Sequence, residues 1–227
     1  MPSDGGWFCP RLRTMAKIKS PSPGEAFDRL LTGNARFVTG APLHPNQDAA
    51  RRAELAPGQQ PFAVMFGCSD SRLAAEIIFD QGLGDLFVVR TAGHVVGGEV
   101  LGSIEYGVHV LDCPLVIVLG HDSCGAVAAA CAALEDGSAP AGYIRDIVER
   151  VTPSVLAARA AGHFDADSIL AAHVENTVDL LLERSRVLAE RVETGKTAIV
   201  GLCYRLADGS AQVVAARGLD LTTPSAP

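Results

Sequence analysis

A chain of 227 residues is long enough for one sizeable hydrophobic core, and 48% hydrophobic with 20% charged residues is an ordinary globular balance. A formal net charge of −7 argues against a nucleic-acid binder, which would carry a basic stripe. No apolar run approaches the roughly 20 residues of a membrane-spanning helix, and Arg11, Arg13, Lys17 and Lys19 are not followed by the apolar segment of a secretory signal.

In chain order, residues 1–21 are rich in Pro, Ser, Gly and Arg and read as a flexible extension. Ser22-Pro23-Gly24-Glu25 is a helix start: Ser22 caps, Pro23 suits the first turn and Glu25 sits three after the cap. The helix carries Phe27, Leu30, Leu31, Phe37 and Val38 and stops near Gly40. Residues 41–60 are polar and proline-containing and read as a surface wrap. Together they form an N-terminal helical arm suited to packing on a partner subunit.

From Pro61 the texture alternates between strand and helix. Strands are read at 62–66, 86–89, 115–119 and 197–206, with an edge strand at 211–215 reached by an Asp208-Gly209 turn. Helices are read at 71–80, capped by Asp70 or Ser71, from Gly97-Gly98 to Leu111, at 125–134, and over 143–161 and 166–193 with interruptions at Pro153 and Gly162. Strands that are apolar throughout, separated by helices, predict an α/β fold. Its mostly parallel central sheet is flanked by helices and carries one antiparallel edge strand. The domain spans 22–216, and 217–227 is a loose tail.

Ligands bind beyond the C-terminal ends of the strands in such a sheet. Two runs sit there: Cys68-Ser69-Asp70-Ser71-Arg72 and Gly120-His121-Asp122-Ser123-Cys124-Gly125. Zinc favours thiolate and imidazole, and a catalytic site uses three protein ligands and leaves one position for water. His121 and Cys124 form an H-x-x-C pair, Cys68 is the natural third ligand, and neither run offers a fourth Cys or His. Arg72 can hold Asp70 in a bidentate fork, keeping the carboxylate ionised to accept a hydrogen bond from water on the metal. Released by Arg72, Asp70 is a possible fourth ligand in a closed state. Taken singly, a buried Cys is a small hydrophobe and an Asp-Ser pair is a helix cap; two such runs at matching strand ends favour the metal. The six scattered cysteines suit a reducing compartment, so a cytoplasmic location is expected.

At these residues the chain resembles the β-class carbonic anhydrases, in their bacterial, actinobacterial-type branch. The likeness rests on Cys68-x-Asp70-x-Arg72, Phe87-Val88-Val89-Arg90 followed by Ala92-Gly93, Ser103-Ile104-Glu105-Tyr106, Gly120-His121-x-x-Cys124-Gly125 and Asn34-x-x-Phe37-Val38, and runs from about Ser22 to about Ala216. It implies reversible hydration of CO2 to bicarbonate and a proton by zinc-bound hydroxide. It implies Cys68, His121 and Cys124 as Zn2+ ligands, with Asp70 and Arg72 as the catalytic dyad. It also implies a substrate pocket at Gln59, Phe87, Tyr106 and Gly125, with Gln59 reaching into a neighbour's site in a homodimer or homotetramer. Part of that family has an inhibitory bicarbonate pocket of Trp, Arg and Tyr. Here Arg90 and Tyr204 match, but Met65 stands at the Trp position. Thr91 and His94 replace asparagines common among relatives; His94 offers a proton relay, against the blander reading of a loop residue bonded to backbone. His173 reads as structural. Two rival functions keep the metal: a carbon disulfide hydrolase-like enzyme and a non-catalytic zinc or bicarbonate sensor.

Overall fold

The computed structural model describes residues 20–138 and 140–221. Most of the expected extension over 1–21 and of the tail over 217–227 lies outside the described residues, as does Trp7.

Among the described residues, five strands form one sheet in the order β2-β1-β3-β4-β5. β1 (Ala63–Cys68), β3 (Leu115–His121) and β4 (Ala198–Tyr204) are central and buried throughout, which is why they read as unbroken apolar runs. β2 (Leu86–Thr91) lies at one edge and is half-exposed. β5 (Ala211–Arg217) closes the other edge, antiparallel to β4, with a bulge between Gly201 and Leu202; the remaining pairs are parallel.

Apolar layers cover both faces. One contains Phe27 and Leu30 of α1 (Pro23–Val38), Phe79 after α3 (Ala75–Ile78), Val127 of α5 (Gly125–Asp136) and Val151 of α6 (Ile144–Ala160). The other contains Ile104 of α4 (Gly98–Glu105), Val174, Val178 and Leu181 of α7 (Ala166–Arg184) and Leu188 of α8 (Arg186–Glu193). No helix among the described residues is long and apolar enough to cross a membrane.

The capping box at Ser22 and Glu25 forms in full, as expected. Four expectations change. A helix, α2 (Ala49–Leu55), lies inside the wrap; Asp48 caps it, and it buries no residue, so it leaves no hydrophobic period to read. The helix expected over 71–80 shrinks to α3, because Asp70 turns its carboxylate to Arg72 instead of capping; the residue before α3 is Ala74, without a side-chain cap. Pro153 does not interrupt α6, which runs through it with the proline on the exposed side. The long second helix breaks at Ser185, whose side chain caps α8 by accepting from the Leu188 N–H.

Candidate metal centre

β1 ends on Cys68 and β3 ends on His121. These strands are parallel neighbours, so their C-terminal ends lie side by side. Three residues past His121, Cys124 is the N-cap of α5. The ligand atoms of Cys68, His121 and Cys124 all lie within 4.8 Å of one another, and all three residues are buried.

The chemistry of this donor set fits zinc. The His121 Nδ1 lies 2.7 Å from the Asp122 carbonyl oxygen, which can only accept, so Nδ1 carries the proton. Nε2 is then left with its lone pair, buried and without a hydrogen-bond partner in the protein, an orphaned atom that a metal would satisfy. The two sulfurs share a single negative charge, carried by Cys68. Hydrogen bonding to Cys124, opposed by burial, and then contacts from His121 and the N–H groups of Asp70 and Gly93 hold the Cys68 thiol well below its ordinary range. Without a metal, Cys124 is pushed up, first by sharing a proton with Cys68 and then by burial, while the N–H groups of Val127 and Ala126 pull it down. Two neighbouring thiols so coupled hold one proton between them, and a dication replaces that proton.

Asp70 stands at the edge of the cluster, its Oδ2 3.9 Å from His121 Nε2. Arg72 holds it with both ends of its fork, Nε to Oδ1 at 2.9 Å and Nη2 to Oδ2 at 2.7 Å, and the Arg72 N–H adds a third bond at 2.9 Å. The Arg72 side chain, opposed by the burial penalty, drives the carboxyl far below the ordinary carboxylate range. Both carboxylate oxygens face Arg72, so the structure displays the dyad.

Other expected site residues divide. Gly125 lies at the exposed start of α5, and a Cβ there would meet nothing within 4 Å, so the backbone beside Cys124 is open to a small molecule. Phe87 and Tyr106 pack on each other with ring centroids 5.9 Å apart. Phe87 is opposite Val64, whereas Cys68 is opposite Thr91, so the pair lies roughly 13 Å down the strands from this chain's own cluster. Gln59 is exposed on the loop entering β1. His94 is fully enclosed, neither ring nitrogen has a hydrogen-bond partner, and burial lowers its pKa well below the usual value. It is neither an exposed proton relay nor a loop residue bonded to backbone. Tyr204 is buried beside the cluster strand, while Arg90 is engaged elsewhere.

Arg90 has a role the sequence reading missed. Its Nε donates to the Cys68 carbonyl at 2.8 Å and its Nη2 to the Asp70 carbonyl at 2.5 Å, clamping the turn that carries ligand and dyad. The Ser69 N–H adds a bond to the Thr91 carbonyl at 3.0 Å.

Comparison with known proteins agrees with this geometry. The family model described as "Carbonic anhydrase" matches residues 63–211. "Carbonic anhydrase 2" of Mycobacterium tuberculosis is 59% identical over 194 residues, covering 86% of this chain and 94% of the relative. "Carbonic anhydrase" of Mycolicibacterium smegmatis is 58% identical over 196 residues, covering 86% and 95%. Among solved structures, a β-carbonic anhydrase of Sordaria macrospora, described as tetrameric, shares the fold with TM-score 0.64 at 22% identity, over 83% of this chain and 96% of that one. The β-carbonic anhydrase CcaA gives TM-score 0.63 at 24% identity, over 84% and 88%.

Proposed function

The chain belongs to the β class of the carbonic anhydrase family, and we propose that Cys68, His121 and Cys124 hold its zinc while Asp70 and Arg72 direct the reaction. The protein is a zinc-dependent carbonic anhydrase, converting CO2 and water to bicarbonate and a proton. The observation that carries the residue assignment is the buried, unpartnered His121 Nε2 facing two thiols, with an arginine-held carboxylate alongside.

Zinc in this position supplies the Lewis acidity that makes water nucleophilic near neutral pH. The chain's own groups do the rest. The Asp70 carboxylate, kept ionised by Arg72, can only accept hydrogen bonds. A water beside it therefore directs a proton toward Asp70 and turns a lone pair away, toward an approaching carbon. Arg72 fixes the direction in which that carboxylate faces. The open backbone at Gly125 leaves room for CO2 beside Cys124.

Assembly completes the pocket in this reading. The aromatic pair Phe87 and Tyr106, and the exposed Gln59, lie away from the cluster of their own chain and serve the site of a neighbour in a homodimer or homotetramer. The tetrameric Sordaria relatives of the same fold support this. A cytoplasmic location suits cysteines that form no disulfide among the described residues: Cys68, Cys113, Cys124 and Cys203 are buried and Cys131 is half-buried. The carbon disulfide and sensor readings are not favoured: the dyad is intact, and relatives at 59% and 58% identity are named carbonic anhydrases.

Stopped-flow hydration of CO2 with a pH indicator at pH 8.5 tests the proposal, run on protein loaded with about one zinc per chain. Activity that disappears on substitution of Cys68, His121 or Cys124 supports it. Metal-loaded protein without CO2 hydration overturns it.

A further inference from the structure

Resting on that reading of the metal centre, we propose that His173 of α7 is a positioning residue for the zinc ligand Cys68, acting through the backbone of Gly93. The link starts at the sulfur. The Gly93 N–H donates to Cys68 Sγ at 3.3 Å. On the other side of the same residue, the Gly93 carbonyl lies 2.9 Å from His173 Nε2. One residue is thus gripped at both its peptide groups, by a metal ligand and by a buried imidazole.

The direction of every bond is fixed by chemistry. A carbonyl oxygen only accepts, so His173 Nε2 carries the proton. In a neutral imidazole Nδ1 then accepts, and Ser154 Oγ, 2.9 Å away, must donate to it. Asn176 Nδ2 donates to the same Ser154 oxygen at 3.0 Å, which leaves the hydroxyl proton free to point at His173. The chain Asn176, Ser154, His173, Gly93, Cys68 runs one way only. Burial holds His173 in the neutral form this requires.

The loop it grips is not one the chain adopts freely. Gly93 and His94 both have left-handed backbone, φ +62° and +41°, and the second bears a side chain. The His94 ring forms no hydrogen bond and lies against His173 with centroids 4.3 Å apart. Thr91 Oγ1 bonds the Val95 carbonyl at 3.0 Å and braces the base of the turn. His173 braces its tip. The tip also packs on the other ligand's helix: a Cβ at Gly93 would come within 2.6 Å of Ala126 Cβ, in the first turn after Cys124. His173 itself has little freedom. Its neighbour Val174 presses on β3 and β4 where glycines allow it, since a Cβ at Gly120 or Gly201 would lie 2.5 or 2.7 Å from the valine methyls. Positions that orient metal ligands through hydrogen bonds act on the metal itself as well as on stability.

The test compares His173→Leu, which removes the donor, with His173→Gln, whose amide nitrogen reaches the position of Nε2. Both are loaded with zinc for release to a chelator and with cobalt for the sulfur-to-metal charge-transfer band. We expect His173→Leu to release zinc about tenfold faster and to shift the cobalt band, and His173→Gln to restore both. Folded His173→Leu with native release and spectrum overturns the proposal, as does His173→Gln matching the leucine variant. Should the leucine variant not fold, Ser154→Ala carries the same two outcomes. In the zinc-loaded native protein, nitrogen NMR must show His173 protonated at Nε2; protonation at Nδ1 overturns the proposal. Native zinc protein unable to hydrate CO2 would overturn the enzymatic reading and leave the His173 result standing.

Discussion

His121 donates its Nδ1 proton to the carbonyl of the next residue, Asp122, across 2.7 Å. That bond, made at the end of β3, fixes both the tautomer and the direction of the free Nε2 lone pair. Removing the imidazole should remove the metal. His121→Ala should leave two thiols without their nitrogen partner, and zinc should fall from about one per chain to a small fraction after dialysis. CO2 hydration should fall with it. Chelator treatment of the native protein should abolish activity, and added zinc should restore it. Atomic absorption and stopped-flow measurement on the same samples decide the matter; full zinc in His121→Ala would exclude the residue as a ligand.

The fork between Arg72 and Asp70 separates charge from geometry. Asp70→Asn keeps the shape but gives Arg72 no anion to hold. Zinc should stay, because no ligand is touched, while kcat/KM falls about 10²-fold or more, the range of a positioned proton acceptor. Arg72→Lys keeps the positive charge but loses the bidentate grip, so its loss should be smaller than that of Asp70→Asn. Native activity in Asp70→Asn would remove the carboxylate from the mechanism.

Arg90 bridges two carbonyls of the turn, those of Cys68 and Asp70. A lysine there supplies one flexible ammonium for two divergent acceptors. Arg90→Lys should lower kcat about tenfold, in the lower part of the range for groups that support a metal site, with little change in melting temperature because the residue is exposed. An equal fall in melting temperature and activity would make Arg90 a stabilising residue only.

The contrast between Cys68 and Arg90 shows what a sequence can carry. The convergence of Cys68, His121 and Cys124, with Asp70 held by Arg72 beside them, was legible because the roles proposed for them lie in side-chain chemistry, and parallel strands bring their ends together whatever the separation along the chain. The mostly parallel sheet and its antiparallel edge followed from unbroken apolar runs and the Asp208-Gly209 turn. Arg90, Gly93 and His173 were opaque in role, since their partners are main-chain groups: the carbonyls of Cys68, Asp70 and Gly93, and the Gly93 N–H. Every residue has such groups, so nothing in the partner's identity marks the bond. The helix α2 was hidden for the opposite reason, having no buried face.

Asp80 gives a prediction about stability independent of the metal. Its buried carboxylate accepts from Arg36 Nε at 2.6 Å and from the N–H groups of Leu43 and His44 at 2.9 Å each, tying α1 and the following loop to the end of α3. Burial pushes the carboxyl pKa up, but these donors outweigh it and hold it below its ordinary value. A carboxyl depressed on folding contributes stability that is complete above the unfolded pKa of about 3.9 and is lost as pH falls through the folded value. Asp80→Asn tests this cleanly, because Asp80 has φ +46° and asparagine tolerates that backbone equally well. The amide, however, turns an NH2 toward groups that are themselves donors. At pH 7 the variant should be less stable by about 2–3 kcal/mol, the scale of hydrogen bonds to a buried charge. The gap between the two proteins, measured by urea unfolding after metal removal, should hold constant from pH 7 to about 5 and narrow below about 4. A gap of the same size at pH 3 as at pH 7 would assign the loss to shape, because below the unfolded pKa of about 3.9 the unfolded carboxyl takes up a proton and an advantage resting on charge must already be shrinking.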